Sequence, residues 1–544
     1  MLIGYVSDEY YMALADVLIE FRRLDKTCAI VRSSPRGAIE ANLAPGDYEV
    51  VLVKPGFGSK RVTMMVDASS PYHFRLLSDR LLGYAWPRAI RSREKSEFKV
   101  HAVEPYRLSL WRYGYEREFV KLLGWFDEHA ARAVMQITPD GDYTQTGVKW
   151  NTVGYGSTHH TQLVTGPESS GLYYFHAKTE SGREFFSFPL VVAPGKPQAK
   201  VAVLASTNTW LAYNNFGGRS NYINSTELPA VPSINVRQDL IRYTKAGSFN
   251  TWGFQDNEYR PLSFERPEPG NCVGEHEEVT DPIPGRLQSS LAPAEWRLLG
   301  WLEREGFAYD YYAENQLHDG TLDLDAYEVL IISVHPEYWS REMFAKVEDW
   351  VHGRGGKLMY LGGNGLNCEV EFLENDRLRF KTFLRPASGG ELGMPDPAEP
   401  SRYCESRMHR TYRSEASLLG VVCTASGIMT AAPYKVIDPD HWIFAGTGLS
   451  KGDEFGQESL HERIHGGASG HETDKMSPHS PPGTRLLAKG TNPDEGGGEI
   501  CYYETESHGA VFSAGSICYV ASLLVDPALS RITANVLNRF LKNS

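Results

Sequence analysis

Cysteine is scarce in this sequence, and long apolar runs are missing from it. Among 544 residues there are seven cysteines, an odd number, and none of them forms a CxxC pair. A disulfide framework and a structural zinc site are therefore both disfavoured. No stretch approaches the roughly 20 apolar residues that cross a bilayer. The N-terminus MLIGYVSDEYYMALADV has acidic residues where a signal peptide has its basic region, so we expect a cytoplasmic protein that does not enter a membrane.

Basic residues are in the minority. The chain has 55 Lys and Arg against 68 Asp and Glu, a net charge of −13 at pH 7. Because binding to nucleic acid requires a basic face, nucleic acid is not an expected partner. No GxSxG motif occurs, and YLGGNG (360–365) lacks the lysine of a phosphate-binding loop. Cys368 follows this segment without a nucleophile elbow and is not favoured as a nucleophile.

The chain is long enough for about three or four domains of roughly 150 residues. Short strands separated by turns fill residues 1–85, where ANLAPGDYEVVLVKPGF resembles the carboxypeptidase-regulatory type of β-sandwich. Further strands at regular spacing fill residues 95–195 and predict an immunoglobulin-like β-sandwich. The first sandwich is expected to be an accessory domain. VVAPGKPQAK (191–200) is typical of a linker.

The pattern changes to alternating strands and helices over residues 200–544. VAVLAS (201–206), YEVLIISV (327–334) and GKLMYLGGN (356–364) are short apolar runs of the kind found in parallel sheets. Helical patterns lie between them, including REMFAKVEDWVHGRG (341–355). This alternation predicts an α/β domain, doubly wound, with helices on both faces of a sheet like that of glutamine amidotransferases. We expect this domain to be catalytic.

Polar residues follow each of the three apolar runs. Asn208 follows the first, His335 and Glu337 the second, and Asn364 the third. In open parallel sheets, ligands bind beyond the carboxyl ends of the strands, so these side chains are expected at one rim. His335 and Glu337 face the same side if the segment is extended, where a carboxylate can bind a metal and an imidazole can transfer protons. A structural loop pair is the alternative interpretation.

Two further segments carry candidate side chains. Tyr213 follows the first strand and precedes two glycines; as a phenolate it would be a hard ligand suited to ferric iron, and otherwise a packing residue. GGASGHETD (466–474) brings glycines up to the carboxylate of Glu472, which suits a tight loop beside a ligand or an ordinary surface turn.

Several segments in this order resemble the large (beta) subunit of N,N-dimethylformamidase. The resemblance covers most of residues 200–544, and the N-terminal third is not diagnostic for it. The segments that carry it are TWLAYNNFGGRSNY (209–222), SFERP (263–267), HPEYWSREMF (335–344), GGKLMYLGGNG (355–365), HWIFAGTGLSKGDEFG (441–456), GGASGHETD (466–474) and GAVFSAGSI (509–517).

The resemblance implies a mononuclear Fe(III) held by two tyrosines and one glutamate, which hydrolyses a small N-substituted amide. Glu337 matches the glutamate ligand and Tyr213 matches the first tyrosine. The second tyrosine is expected near SFERP, where this sequence has Glu268. Tyr259 is the first candidate for that position and Tyr243 the second, and Glu268 itself is the alternative ligand.

The resemblance also implies the remaining site residues. His335 would be the active-site histidine, Asn364 a polar group of the pocket, and Glu472 a catalytic carboxylate or one that orients a ligand. Further pocket positions would be Lys381, Phe512 and Phe216. In this hypothesis Glu472 takes a proton from water and returns it to the leaving nitrogen, while His335 or Asn364 stabilises the oxyanion.

Partners and competing functions follow from the same resemblance. We expect a homo-oligomer, with a small partner subunit as a further expectation because the family enzyme uses one. One alternative function is a related metal-dependent amidase or urea hydrolase with a larger substrate. Another is a non-catalytic binding protein on an amidotransferase-like fold, which a colourless protein without stoichiometric metal would favour.

Overall fold

The structure, a computed structural model, is a β-rich protein built from several separate sheets. It describes all residues except 11, 68–70, 127–161, 215, 217–219, 222–230, 235–260, 277–289, 375–376, 382–393, 396–402, 425 and 543–544. No helix in the described ranges is long and apolar enough to span a membrane.

Two small sheets form the first β region, with strand orders β4-β1-β7 and β3-β2-β5-β6. The predicted alternation in YEVVLV is confirmed, because Tyr48, Val50 and Leu52 are buried while Glu49 and Val51 are partly exposed. The strands are β1 (Leu2–Ser7), β2 (Leu18–Arg23), β3 (Lys26–Arg32), β4 (Ala38–Glu40), β5 (Gly46–Val53), β6 (Lys60–Val66) and β7 (Tyr72–Arg75).

The second β region also has two sheets, with strand orders β13-β10-β8 and β12-β11-β14-β15-β9. The central strand β14 is buried along almost its whole length, so both of its faces are covered. The strands are β8 (Leu82–Trp86), β9 (Ala89–Arg91), β10 (Lys95–His101), β11 (Tyr106–Tyr113), β12 (Arg117–Phe126), β13 (Leu163–Thr165), β14 (Gly171–Thr179) and β15 (Phe185–Ala193).

A nine-stranded sheet dominates the C-terminal region, in the order β18-β16-β19-β21-β34-β33-β32-β28-β29. The first five strands are parallel to one another, and the others are antiparallel.

The strands of the C-terminal region, in this sheet and in the smaller ones, are β16 (Val201–Ala205), β17 (Leu262–Ser263), β18 (Asp310–Ala313), β19 (Val329–Val334), β20 (Tyr338–Trp339), β21 (Lys357–Gly362), β22 (Cys368–Leu373), β23 (Arg377–Phe380), β24 (Met394–Pro395), β25 (Tyr403–Cys404), β26 (Val422–Thr424), β27 (Ala431–Ala432), β28 (Tyr434–Val436), β29 (Glu454–Phe455), β30 (Ser469–Gly470), β31 (Thr473–Lys475), β32 (Arg485–Gly490), β33 (Glu499–Glu504) and β34 (Ala510–Ser513).

Helices cover both faces of the parallel strands. The α-helices in the described residues are α1 (Thr207–Tyr213), α2 (Ala292–Arg304), α3 (Glu314–Asp319), α4 (Arg341–Arg354), α5 (Arg407–Thr411), α6 (Ala416–Leu419), α7 (Tyr519–Ser522) and α8 (Pro527–Lys542). Helices α2 and α8 share one hydrophobic core with the sheet, and α3 and α4 share the other. Each parallel strand is thus buried on two sides, which explains the continuous apolar runs in the sequence.

The predicted elements of this region agree with the structure to within a few residues. The helix expected over 341–355 runs from Arg341 to Arg354. Ser340 caps its start by accepting a hydrogen bond from the Met343 amide, and Gly355 ends it with a φ of 81°. Among the described residues, no sheet takes strands from two of the three regions. The predicted boundaries at 85, 95, 195 and 200, and the likenesses to immunoglobulin and amidotransferase folds, stay predictions.

Candidate active site

The carboxyl ends of neighbouring parallel strands carry the predicted side chains. After β16 the chain enters α1, whose last residue is Tyr213. After β19 it turns sharply, with a φ of 60° at Val334, and continues through His335 to Glu337. After β21, Asn364 has a φ of 51°. Positive φ at non-glycine residues stores backbone strain, and such strain is common where side chains are held for function.

Helix α1 is held at its start by two buried carboxylates. The backbone amide of Ser206 donates to Glu295 Oε1 at 3.0 Å, and that of Asn208 donates to Glu314 Oε2 at 2.7 Å. These two glutamates belong to α2 and α3, so helices on opposite faces of the sheet satisfy the free amides of α1. This arrangement fixes the position of Tyr213 at the other end of the helix.

Five predicted residues meet at this rim, and we name them the rim cluster: Tyr213, His335, Glu337, Asn364 and Glu472. The hydroxyl of Tyr213 donates to Glu337 Oε2 at 3.3 Å. His335 Nε2 lies 3.2 Å from the same oxygen and 3.1 Å from Glu472 Oε2. Asn364 interacts with Glu472 through its side chain, and its backbone amide donates to Asp474 Oδ1 at 2.8 Å.

The charges within the rim cluster are coupled. Burial acts to lower the pKa of His335, but the carboxylates of Glu472 and Glu337 outweigh it and raise that pKa above its usual value. Burial likewise acts to raise the pKa of Glu472, but the neighbouring imidazolium of His335 brings it below its usual value. The pair is therefore an imidazolium and a carboxylate, which can donate a proton and accept one.

Arg407 and Cys368 contact the other oxygen of Glu337. Oε1 lies 3.7 Å from Arg407 Nη1 and 3.8 Å from Cys368 Sγ, and Arg407 Nη1 donates to Sγ at 3.2 Å. The thiol lies 3.5 Å from Asn367 Oδ1 as well. Burial raises the pKa of the Cys368 thiol, so it stays protonated and does not act as a nucleophile at neutral pH.

The predicted pocket residues lie in other surroundings. Lys381 Nζ forms an ion pair with Glu369 Oε1 at 3.1 Å. Phe512 lies within β34, between Met359 and Tyr502 of the neighbouring strands, and is fully buried. Phe216 packs into the core of the second β region.

The second tyrosine ligand is not settled by the described residues. Tyr259 and Tyr243 both lie outside them. Glu268, the alternative ligand, is engaged elsewhere: Oε1 pairs with Arg88, and Oε2 accepts from Asn271 Nδ2 at 2.9 Å. Both oxygens of Glu268 are thus engaged in a buried contact with other protein groups.

The donor set of the rim cluster fits one hard cation. Metal–oxygen bonds of about 2 Å at right angles place adjacent ligand atoms about 3 Å apart. The oxygens of Tyr213 and Glu337 are 3.3 Å apart and come from segments separated by 124 residues. Phenolate and carboxylate are hard oxygen donors, which suit ferric iron.

A second group of metal-ligand type, Glu405, His409 and His479, has a structural explanation. The amide of His409 donates to Ser406 Oγ at 2.9 Å, and the amide of Glu405 donates to His409 Nδ1 at 3.0 Å. The first is the N-cap hydrogen bond of Ser406 at the start of α5, and the second ties the His409 ring to the residue before that cap. Since Nδ1 accepts a hydrogen bond, Nε2 carries the ring proton and is not a metal donor.

Three contacts of the rim cluster were not predicted from the sequence. Arg407 and Cys368 contact Glu337, and Asp474 accepts a hydrogen bond from the Asn364 amide. Arg407 lies 70 residues beyond Glu337 in a segment without a recognisable motif. Ser406 caps the helix that starts at Arg407, but this cap does not determine the direction of the arginine side chain.

The protein is thus β-rich and has several domains, and its rim cluster lies beyond the carboxyl ends of parallel strands, where open parallel sheets bind ligands. Comparison with known families identifies its family. The chain belongs to the family described as N,N-dimethylformamidase beta subunit-like, C-terminal, whose model matches residues 107–531. The resemblance stated from the sequence is confirmed.

Two curated relatives are N,N-dimethylformamidase beta subunits. The alignment with the one from Paracoccus aminophilus is 437 residues long at 27% identity and covers 70% of this chain and 54% of the relative. The alignment with the one from an Alcaligenes species is 429 residues long at 26% identity and covers 69% of this chain and 53% of the relative. The chain thus spans about half the length of these relatives. A solved structure, the Bacillus anthracis TIE protein, aligns over 37% of this chain and 34% of its own at 12% identity, and its TM-score of 0.13 carries no weight for the fold.

Proposed function

We propose that this protein is an iron-dependent hydrolase of a small N-substituted amide. Family membership supports a hydrolase of the dimethylformamidase type. The observation that carries the iron site is the contact between Tyr213 and Glu337, flanked by His335 and Glu472. We include in the proposal an amidotransferase-like sheet, a cytoplasmic location and a homo-oligomer with a small partner subunit. The partner subunit is supported by the word "subunit" in the relatives' names.

In this proposal Tyr213 and Glu337 hold Fe(III), together with a tyrosine outside the described residues. Bound ferric iron would supply Lewis acidity, polarising the amide carbonyl and lowering the pKa of a bound water. Glu472 accepts the proton of the attacking water and passes it to the leaving nitrogen. One water is consumed, and a carboxylic acid and an amine are released.

The other members of the rim cluster assist this transfer. The His335 imidazolium lies next to both carboxylates and can donate a hydrogen bond to the developing oxyanion, a contribution of about 3 kcal/mol for one donor. Asn364 orients the Glu472 carboxylate. Because these groups are buried, their interactions with developing charge are stronger than they would be in water.

The proposal is tested with the full chain purified after loading with iron. Metal analysis should give about one iron per chain, and a tyrosinate–Fe(III) absorption should colour the protein. A panel of formamides, acetamides and substituted ureas, assayed for amine release, would identify the substrate class. A colourless wild-type protein without iron or amidase activity would contradict the proposal.

We predict that Glu337→Ala abolishes iron binding and activity together, because it removes an anionic ligand from a buried site. Iron content and amine release are the measurements. Glu371→Ala is the matched control: Glu371 lies on β22 and pairs at the surface with Arg379 at 2.9 Å. The control should match wild type, and full iron and rate in Glu337→Ala would show that the ligand assignment is wrong.

A further inference from the structure

The carboxylate of Glu337 lies between two different environments. Its Oε2 faces the rim cluster, 3.3 Å from the Tyr213 hydroxyl and 3.2 Å from His335 Nε2. Its Oε1 faces away, 3.7 Å from Arg407 Nη1 and 3.8 Å from Cys368 Sγ. The side chain of Glu337 is 2% exposed, so protein groups rather than solvent determine which oxygen faces which way.

We propose that Arg407, acting together with Cys368, is a positioning residue that makes Glu337 present only Oε2 to the candidate iron site. This inference rests on the proposed function, since it concerns how the ligand carboxylate is held. Arg407 Nη1 donates to Cys368 Sγ at 3.2 Å, and the thiol hydrogen is shared between Glu337 Oε1 at 3.8 Å and Asn367 Oδ1 at 3.5 Å. The guanidinium and the thiol together therefore oppose rotation of the carboxylate.

Helix α5 fixes Arg407 in this position. Arg407 is the first residue of the helix, and the hydroxyl of Ser406 caps the helix by accepting from the His409 amide. Cys368 is fixed by its own backbone, because its amide donates to the Glu337 carbonyl at 3.0 Å and β22 pairs with β20. Both partners of Oε1 are thus held by main-chain contacts.

The arrangement also controls how strongly Glu337 donates electrons. A guanidinium and a thiol directed at Oε1 withdraw charge from the carboxylate, so Glu337 is a weaker donor than a free glutamate. Iron bound by a weaker donor remains a stronger Lewis acid. Residues that hydrogen-bond a metal ligand typically change metal affinity or activity roughly 10- to 100-fold when they are replaced.

The first test replaces Arg407 with glutamine in the full-length, iron-loaded protein. Arg407→Gln removes the positive charge from Oε1, and Glu337 becomes a stronger donor. We expect unchanged iron content, a tyrosinate–Fe(III) absorption maximum at shorter wavelength, and kcat lowered roughly 10- to 100-fold with little change in KM. An absorption maximum and kcat equal to wild type would overturn the inference.

Cys368→Ser provides a second test with the opposite sign. A hydroxyl is a better hydrogen-bond donor than a thiol, so it should weaken Glu337 as a donor and move the absorption maximum to longer wavelength. General damage to the site does not produce shifts of opposite sign, and shifts of the same sign in both variants would overturn the inference. Arg413→Gln is the control, because Arg413 pairs with Glu348 at 2.7 Å on the surface and should leave the spectrum unchanged.

The two levels of proposal fail in different ways. If wild-type protein takes up no iron and shows no tyrosinate absorption, the proposed function is wrong. If wild-type protein shows the absorption but Arg407→Gln and Cys368→Ser leave its maximum unmoved, only the positioning role of Arg407 is wrong.

Discussion

Glu472 and His335 illustrate how single residues acquire a role from their surroundings. Each is a common side chain, yet burial and mutual contact at 3.1 Å keep one as a carboxylate and the other as an imidazolium. The sequence placed His335 at the rim because it directly follows an apolar strand, whereas the role of Glu472 came from the family resemblance. It could not place Arg407, since the direction of its side chain depends on α5 packing against β22 rather than on any local pattern.

Replacing Glu472 with glutamine tests its role in proton transfer. Glutamine keeps the shape of the side chain but cannot accept a proton, so kcat should fall by roughly 10²- to 10⁴-fold. Glu472 is not among the proposed ligands, and iron content should stay at the wild-type value. Measuring kcat and iron in the same preparation separates the two effects. A variant with wild-type kcat would exclude Glu472 as the proton acceptor.

The short parallel strands and the helix α4 were predictable because their sequence signals are local. Each strand is a continuous apolar run, and α4 lies between a capping serine and a terminal glycine. Helix α1 was not, since TNTWLAY has only seven residues. Its start depends on Glu295 and Glu314, which are about 90 and 105 residues away in the sequence. These long-range hydrogen bonds determine where α1 starts, and no local sequence pattern predicts them.

The Glu295 cap predicts a pH-dependent stability. Burial raises the pKa of Glu295 to about 7, and hydrogen bonds from Tyr311, Trp210 and the Ser206 amide offset only part of this effect. Between the usual pKa of 4.5 and about 7, the native state holds a proton that the unfolded chain has released. The free energy of unfolding therefore falls as pH rises through this window, by about 3 kcal/mol for this group.

Glu295→Gln should remove that contribution while keeping one acceptor oxygen for α1. Urea unfolding of wild type and variant at pH 5 and pH 8, followed by tryptophan fluorescence, measures the difference. Other buried carboxyl groups affect both proteins equally, so the comparison isolates Glu295. Identical pH dependence in the two proteins would contradict the raised pKa.

At the scale of the whole molecule, the second β region and the C-terminal region share a hydrophobic core and a buried ion pair. Tyr113 packs against Trp296 of α2 and stacks on Tyr174. The guanidinium of Arg88 pairs with Glu268 and donates to the Thr207 carbonyl at 2.6 Å. No sequence pattern indicated this junction, because its partners come from distant segments: Arg88 and Glu268, for example, are 180 residues apart.

Breaking this ion pair should be costly. Arg88→Met leaves the Glu268 carboxylate buried without its cation, and the loss is expected to be about 3–5 kcal/mol. Arg93→Met is the control: Arg93 pairs with Glu168 at 2.8 Å in an exposed position, where such pairs contribute about 0–1 kcal/mol. Urea unfolding of the two variants gives the comparison, and equal losses would contradict a structural role for the buried pair.

The contact between Arg88 and the Thr207 carbonyl limits how the protein can be shortened. A fragment that starts at residue 200 would contain the whole rim cluster, yet it would expose the core face of α2 and remove the Arg88 guanidinium from Glu268 and from the first turn of α1. Since α1 carries Tyr213 at its far end, truncation would disturb the rim cluster from a distance. A shortened version that keeps the rim cluster intact should therefore begin before β8 and retain the second β region.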